Sequence, residues 1–161
     1  MNNILIMKYK LILFGAVFVF GCSTKVSDKI LSTLEKCDPS NCIFNMEEVT
    51  DFEWDRMYIF GEYSDQEYIT RVIGMEWSGS MVSDGNKRFV FIDKDTVVYV
   101  EDYSPNQVNI QFRPLDWMGD EIANYNRNEA IFTVVKREVK PNSSSYFYDL
   151  YPLEGTLQPD E

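Results

Sequence analysis

The feature that most constrains this chain is an apolar run near its N-terminus, LILFGAVFVFGC at residues 11–22. Its uninterrupted apolar part has ten residues, whereas a transmembrane helix needs about 20. Two lysines and no acidic residue precede the run, and a small residue ends it. This order is typical of a secretory signal peptide. We therefore expect residues 1–21 to form a signal helix that is removed, with translation starting at Met1 or Met7.

The end of the run, V-F-G-C at residues 19–22, resembles the lipobox of bacterial lipoproteins. The resemblance implies cleavage between Gly21 and Cys22, and attachment of a diacylglycerol to the Cys22 sulfur. The partner would then be a lipid bilayer in the cell envelope. Ser23 is similar to the outer-membrane sorting type, which implies an outer membrane, facing the periplasm, if the bacterium has two membranes. An ordinary signal peptide with an incidental cysteine is the alternative.

Length and net charge limit the number of domains and the kinds of partner that the exported part of the chain can have. Removal of residues 1–21 leaves 140 of the 161 residues, which is the size of one domain. The chain has 15 basic and 26 acidic residues, and two of the basic ones lie in the leader, so the mature net charge is −13. Such a surface repels phosphate backbones, so we expect no nucleic-acid partner. It favours either a basic partner or simple solubility by self-repulsion.

The three cysteines divide into one anchor residue and one pair. If Cys22 is acylated, Cys37 and Cys42 remain, separated by the turn-forming residues D-P-S-N. In an exported protein this spacing favours a structural disulfide. It does not match the C-x-x-C spacing of a redox motif.

The sequence contains no histidine. This excludes Ser-His-Asp and Cys-His catalysis and zinc sites with histidine ligands. Carboxylate chemistry remains open. We expect no metal and no cofactor.

Hydrophobic periodicity predicts an α+β fold, with a mainly antiparallel, curled β-sheet of about six or seven strands and one or two helices packed on it. Residues 22–42 would form an anchored helix and a disulfide turn, residues 43–154 a single domain, and residues 155–161 a disordered tail. Helices are expected over residues 24–36, docked on the domain rather than a loose tether, and from a capping box at Ser64 to a C-cap at Gly74. Strands are expected at residues 52–60, 88–92, 96–101, 107–112, 129–139 and 146–151.

One short motif adds a second resemblance. The string FEWDRMYIF at residues 52–60 is similar to an F-x-W-D-x-x-Y-x-F pattern of small exported bacterial domains of unassigned function. The resemblance implies no activity.

Acidic residues are dense just before and within this motif. Five of them form what we call the acidic segment: Glu47, Glu48, Asp51, Glu53 and Asp55. They are the candidate docking residues for a basic protein, and the other interpretation is a solvated acidic surface. The segment lacks the EF-hand pattern that would indicate calcium.

These observations favour a binding protein held at a membrane over an enzyme. An inhibitor or immunity protein against a basic toxin or cell-wall enzyme fits this class. The alternative is a small envelope enzyme that acts on glycans through two carboxylates. The candidates for that chemistry are Glu53, Asp55, Asp116 and Asp120.

Overall fold

A computed structural model describes residues 24–38, 40–113, 122–140 and 145–153. The leader with Gly21 and Cys22, Asp116 and Asp120, and the expected tail over residues 155–161 lie outside this part. The helices are α1 (Val26–Leu34), α2 (Gln66–Ile73) and α3 (Pro105–Val108), with one 3-10 turn at Met46–Val49. The strands are β1 (Ile43–Asn45), β2 (Arg56–Phe60), β3 (Lys87–Asp93), β4 (Thr96–Tyr103), β5 (Ile110–Phe112), β6 (Ile122–Asn126), β7 (Ile131–Glu138) and β8 (Tyr146–Pro152).

The described strands form two four-stranded sheets. The first has the order β1-β7-β8-β5 and the second the order β4-β3-β2-β6. All neighbours are antiparallel except β5 and β8, which run parallel. The predicted α+β class and the mainly antiparallel pairing are confirmed, with eight described strands in two sheets.

The main core lies between the two sheets and is strongly aromatic. The ring centroids of Phe89 in the second sheet and Phe112 in the first are 5.7 Å apart, and those of Tyr125 and Phe132 are 5.1 Å apart. Each edge-to-face pair of this kind contributes about 1 kcal/mol beyond the burial of its rings. Helix α1 completes the same core with Val26, Ile30 and Leu34, which are at most 1% exposed. The expectation of a docked α1 is confirmed.

A second cluster covers the other face of the second sheet. Ile69 and Ile73 of α2 pack there against strand residues, with Trp77 beside them. Strands β2 and β3 are covered on both faces, which agrees with the continuous apolar runs MYIF in β2 and FVFI in β3. The described residues therefore form three layers, the first sheet, the second sheet and α2.

The caps of α2 follow the sequence closely. Gly74 ends the helix with φ 72°, a left-handed conformation that glycine adopts without a steric cost, as predicted. At the other end the capping side chain is Asp65, which accepts from the Tyr68 N–H at 2.8 Å, and the prediction of Ser64 is wrong by one residue. Ser64 is instead tied to the loop after α2, because its carbonyl accepts from the Val82 N–H.

Three predicted strands begin later than expected, and the one predicted from residue 129 begins at Ile131. The first begins only at Arg56, because the preceding residues form a loop in which the Trp54 indole N–H donates to the Thr50 hydroxyl at 2.9 Å. The predicted strand over residues 107–112 begins only at Ile110. Pro105 at the first helical position favours the short α3 before it, and Asn109 at φ 55° ends that helix.

Candidate binding surfaces

The helix that follows the predicted anchor is fastened by a buried carboxylate. Glu101 of β4, 6% exposed, accepts from the Val26 N–H at 2.8 Å and from the Ser27 hydroxyl. It thereby caps the N-terminus of α1, where a negative charge also complements the helix dipole. Tyr99 donates to the same carboxylate at 2.7 Å. Burial, together with this hydrogen bond, raises the pKa of Tyr99 to about 12, so the hydroxyl keeps its proton.

The cysteine pair joins α1 to the first sheet. Cys37 and Cys42 form a disulfide with their Cα atoms 5.5 Å apart, which confirms the predicted pairing. The bridge lies between the end of α1 and the start of β1. No described helix is both long and apolar enough to cross a bilayer.

The acidic segment is largely engaged with cations of the same chain. Arg127 donates to Glu47 at 2.8 Å and to Glu53 at 2.5 Å, and Lys29 of α1 lies 3.1 Å from Asp51. The hydrogen bond to Glu53 raises the pKa of Arg127, and that from Lys29 lowers the pKa of Asp51.

The remaining two acids of the segment differ from each other. Asp55 accepts from the Lys94 N–H at 2.9 Å and also contacts the Arg56 guanidinium at 3.4 Å. Glu48 forms no ion pair within the described residues. It lines a shallow cavity of about 420 Å³ between α1 and the 3-10 turn, together with Asp51 and Lys29. The five acids are thus brought close to three basic residues, Lys29, Arg56 and Arg127.

The carboxylates considered for glycan chemistry do not meet in a cleft within the described residues. Glu53 is 83% exposed and engaged with Arg127, and Asp55 is tied to the Lys94 backbone. Nor do the described residues contain a cluster of acids or cysteines suited to holding a metal ion.

A second surface, absent from the sequence-based candidates, is a cleft of about 500 Å³ beside β5. Three basic residues line it, and we call it the basic cleft: Lys87 at the start of β3, Arg113 just after β5 and Arg137 of β7. Carboxamides of Asn86, Asn106 and Gln111, the Phe147 ring and one acid, Glu62, complete most of its walls. Three cations thus lie in one cleft of a chain whose net charge is −11.

Asp149 of β8 holds the two arginines of the basic cleft. The Arg113 Nε–H donates to Asp149 Oδ1 at 3.1 Å, and the Arg137 Nε–H donates to Oδ2. Asp149 is 2% exposed. Burial alone would raise the pKa of this carboxyl, but the two guanidinium groups outweigh it and lower the pKa below its usual value.

The fold and these surfaces define a disulfide-bonded α+β domain of two packed sheets. It carries an acidic segment, four of whose five carboxylates contact basic residues, and a basic cleft. No protein-family model, no curated protein and no solved structure matches the chain significantly.

Proposed function

We propose that this chain is a bacterial envelope lipoprotein, cleaved after Gly21 and acylated at Cys22, that acts as a binding protein without catalysing a reaction. Two or more acyl chains would hold it stably in the bilayer, since each buried CH₂ contributes about 0.8 kcal/mol. In a bacterium with two membranes the proposed place is the outer membrane, facing the periplasm.

The fastening of α1 carries this proposal. Val26, the first residue of α1, follows Cys22 by four residues, which span at most about 14 Å of extended chain. Because Glu101 fixes this end of the helix to β4, an acyl group on Cys22 would hold the folded body against the bilayer without a stalk. A body so placed suits contact with partners at the membrane surface.

The engagement of the candidate carboxylates supports binding over catalysis. A glycosidase needs one carboxylic acid and one carboxylate placed about 5 to 10 Å apart across a substrate. Glu53 and Asp55 are occupied by Arg127 and by the Lys94 N–H instead. The alternative of a small glycan-acting enzyme therefore draws no support from these two residues.

For the partner, we propose a basic protein that meets the acidic segment, as an inhibitor or immunity protein would require. The mature charge of −13 favours its approach. The partner would have to compete with Arg127 and Lys29 for the same carboxylates. Its capture from solution by the full-length protein should weaken steeply between low and high salt. Capture that is insensitive to salt would contradict this part of the proposal.

The anchor is tested by replacing Cys22 with alanine and separating membrane from soluble fractions. We expect the wild-type protein in the membrane fraction and the Cys22→Ala protein outside it. Cys37→Ala is the matched control, because it removes a cysteine but keeps the anchor. A Cys22→Ala protein that stays with the membrane, or a native protein whose mass shows an unmodified N-terminus, would contradict acylation.

A further inference from the structure

The outer face of the first sheet carries exposed apolar side chains. Ile43, Thr133 and Tyr151 stand opposite one another on neighbouring strands, so their side chains share this face. The residues that alternate with them point into the main core: Phe44, Phe132 and Leu150. Val135 and, just after β7, Val139 keep the outward alternation. Four large side chains of this face are between 43% and 54% exposed, and we call them the outer patch: Ile43, Val135, Val139 and Tyr151.

The two longer helices pack elsewhere in the molecule. Helix α1 completes the main core, and α2 covers the far side of the second sheet. The first sheet is therefore an outer layer of the stack, and the outer patch lies on its free side. A group of exposed apolar side chains on one face of a sheet is typical of a surface that contacts a membrane or another protein.

The charges on this face favour contact with a phospholipid surface. Among the strand residues that the structure describes on the outer face of the first sheet, only Arg137 and Asp149 are charged. Asp149 is 2% exposed and is held by Arg137. The mature chain carries a net charge of −13, so most other orientations would turn exposed acids toward the lipid phosphates. This face meets them with an arginine instead.

The proposed anchor is long enough to reach the plane of the outer patch. Val26 donates to Glu101, which alternates in β4 with Tyr103 of the main core, so α1 begins at the level between the two sheets. Stacked sheets are about 10 Å apart, which puts the outer side chains of the first sheet about 10 Å from that level. The four residues from Cys22 to Val26 span at most about 14 Å. An acyl chain on Cys22 can therefore enter a bilayer that the outer patch touches.

We propose that the outer patch rests on the phospholipid bilayer. Its apolar side chains lie at the boundary between headgroups and acyl chains, Tyr151 with its hydroxyl toward water, and the Arg137 guanidinium lies among the phosphates. The inference rests on the anchor proposed at Cys22 and adds the orientation of the folded body. The second sheet and α2 then face away from the membrane.

The test measures how deeply two matched positions enter the bilayer. The complete acylated protein, as Val135→Cys or Val100→Cys, is labelled at the new thiol with an environment-sensitive fluorophore and placed in phosphatidylcholine vesicles that contain a nitroxide lipid. Val100 is the control because it is 40% exposed, as Val135 is 44% exposed, but stands opposite Val90 on the face that α2 covers. We expect a blue-shifted emission at residue 135, with quenching at least about twofold stronger than at residue 100.

Tyr151→Cys, on the neighbouring strand of the same face, gives a second reading that decides the question even if Val135→Cys folds poorly. Equal quenching at residues 135 and 100, or stronger quenching at residue 100, would overturn the orientation. A blue shift at residue 135 without quenching would overturn it too, because it would indicate contact with protein, such as a second copy of this chain.

Flotation of the same vesicles separates this inference from the proposed anchor. A protein that floats with the vesicles but lacks the expected quenching would leave the anchor at Cys22 intact and refute only the orientation. A protein that does not float would contradict the anchor, and the orientation would fail with it.

Discussion

Acidic residues occur in this molecule in two settings. In the acidic segment five exposed carboxylates lie close together in sequence, and four of them contact cations of the same chain. Glu101 and Asp149 stand far apart in sequence and are almost completely buried. One joins α1 to β4, and the other fixes two arginines of the basic cleft. The dense acids are conspicuous in the sequence, whereas the isolated ones organise the structure.

The difference follows from what surrounds each charge. A carboxylate in water gains little from an ion pair, because solvation already stabilises it and salt screens the attraction. A buried carboxylate has lost that solvation, so hydrogen-bond donors in fixed places must take the place of the water. Glu101 finds backbone N–H groups and hydroxyls, and Asp149 finds guanidinium groups. Burial therefore predicts the consequence of removing an acid better than local charge density does.

The largest effect is expected for Glu101→Ala. The change removes the acceptor of the Ser27 N–H and leaves the Val26 N–H only the Tyr99 hydroxyl at 3.2 Å, which loosens α1. We therefore expect the free energy of unfolding to fall by about 3 kcal/mol. Urea unfolding measures it. Glu53→Ala, which removes an exposed acid of the acidic segment, is the control and should be close to wild type. Equal losses of stability for the two variants would contradict the expectation that a buried carboxylate contributes more than an exposed one.

A smaller effect is expected for Asp149→Asn, about 2 kcal/mol at neutral pH, because Arg137 is half exposed and water partly replaces the lost charge. The folded state holds the pKa of Asp149 below its unfolded value. The charged form therefore stabilises the protein above about pH 4, and this contribution is lost as the pH falls further. The difference in free energy of unfolding between Asp149→Asn and the wild type, measured by urea unfolding, should therefore shrink as the pH falls. A gap that is constant down to low pH would show that charge is not its cause.

The smallest effect on stability is expected for Arg127→Gln. It releases Glu47 and Glu53, but these pairs are exposed, so the melting temperature should hardly change. The local negative charge rises, and a basic protein captured at the acidic segment should bind more tightly and with greater salt dependence. Pull-down of such a partner by the variant and by the wild type at two salt concentrations measures this change in capture. Weaker capture would show that Arg127 itself contacts the partner.

Much of the fold could be predicted from periodicity and caps. The stop of α2 at Gly74 and the hairpin between β3 and β4 follow from local residues alone. Strand β6, with the sequence IANYN, could not be recognised, because only Tyr125 is buried and the asparagines suggest a loop. Strand β1 has three residues, too few to show a period. The division into two sheets depends on pairing between distant strands, which no local pattern encodes.

The candidate sites divide in the same way. The cysteine pair could be predicted, because five positions and a turn sequence suffice to bring Cys37 to Cys42. The basic cleft could not, since Lys87, Arg113 and Arg137 are scattered over some fifty residues. They meet because the short β5 runs parallel to β8 and places Arg113 beside Asp149. The one local signal that could have drawn attention to the site is Asp149, a single acid within the aromatic strand sequence YFYDLY.

Strand β8 is the last described strand of the chain, yet it lies inside the first sheet, between β7 and β5. A polypeptide that emerges with its N-terminus first therefore cannot complete this sheet until Tyr146–Pro152 have been delivered. Until then β5 lacks its only described neighbour and β7 presents an open edge. A product truncated before Tyr146 would retain α1 and the disulfide cysteines but expose unpaired strand edges, which are prone to aggregation. Incomplete copies are therefore expected to aggregate rather than to persist as folded protein.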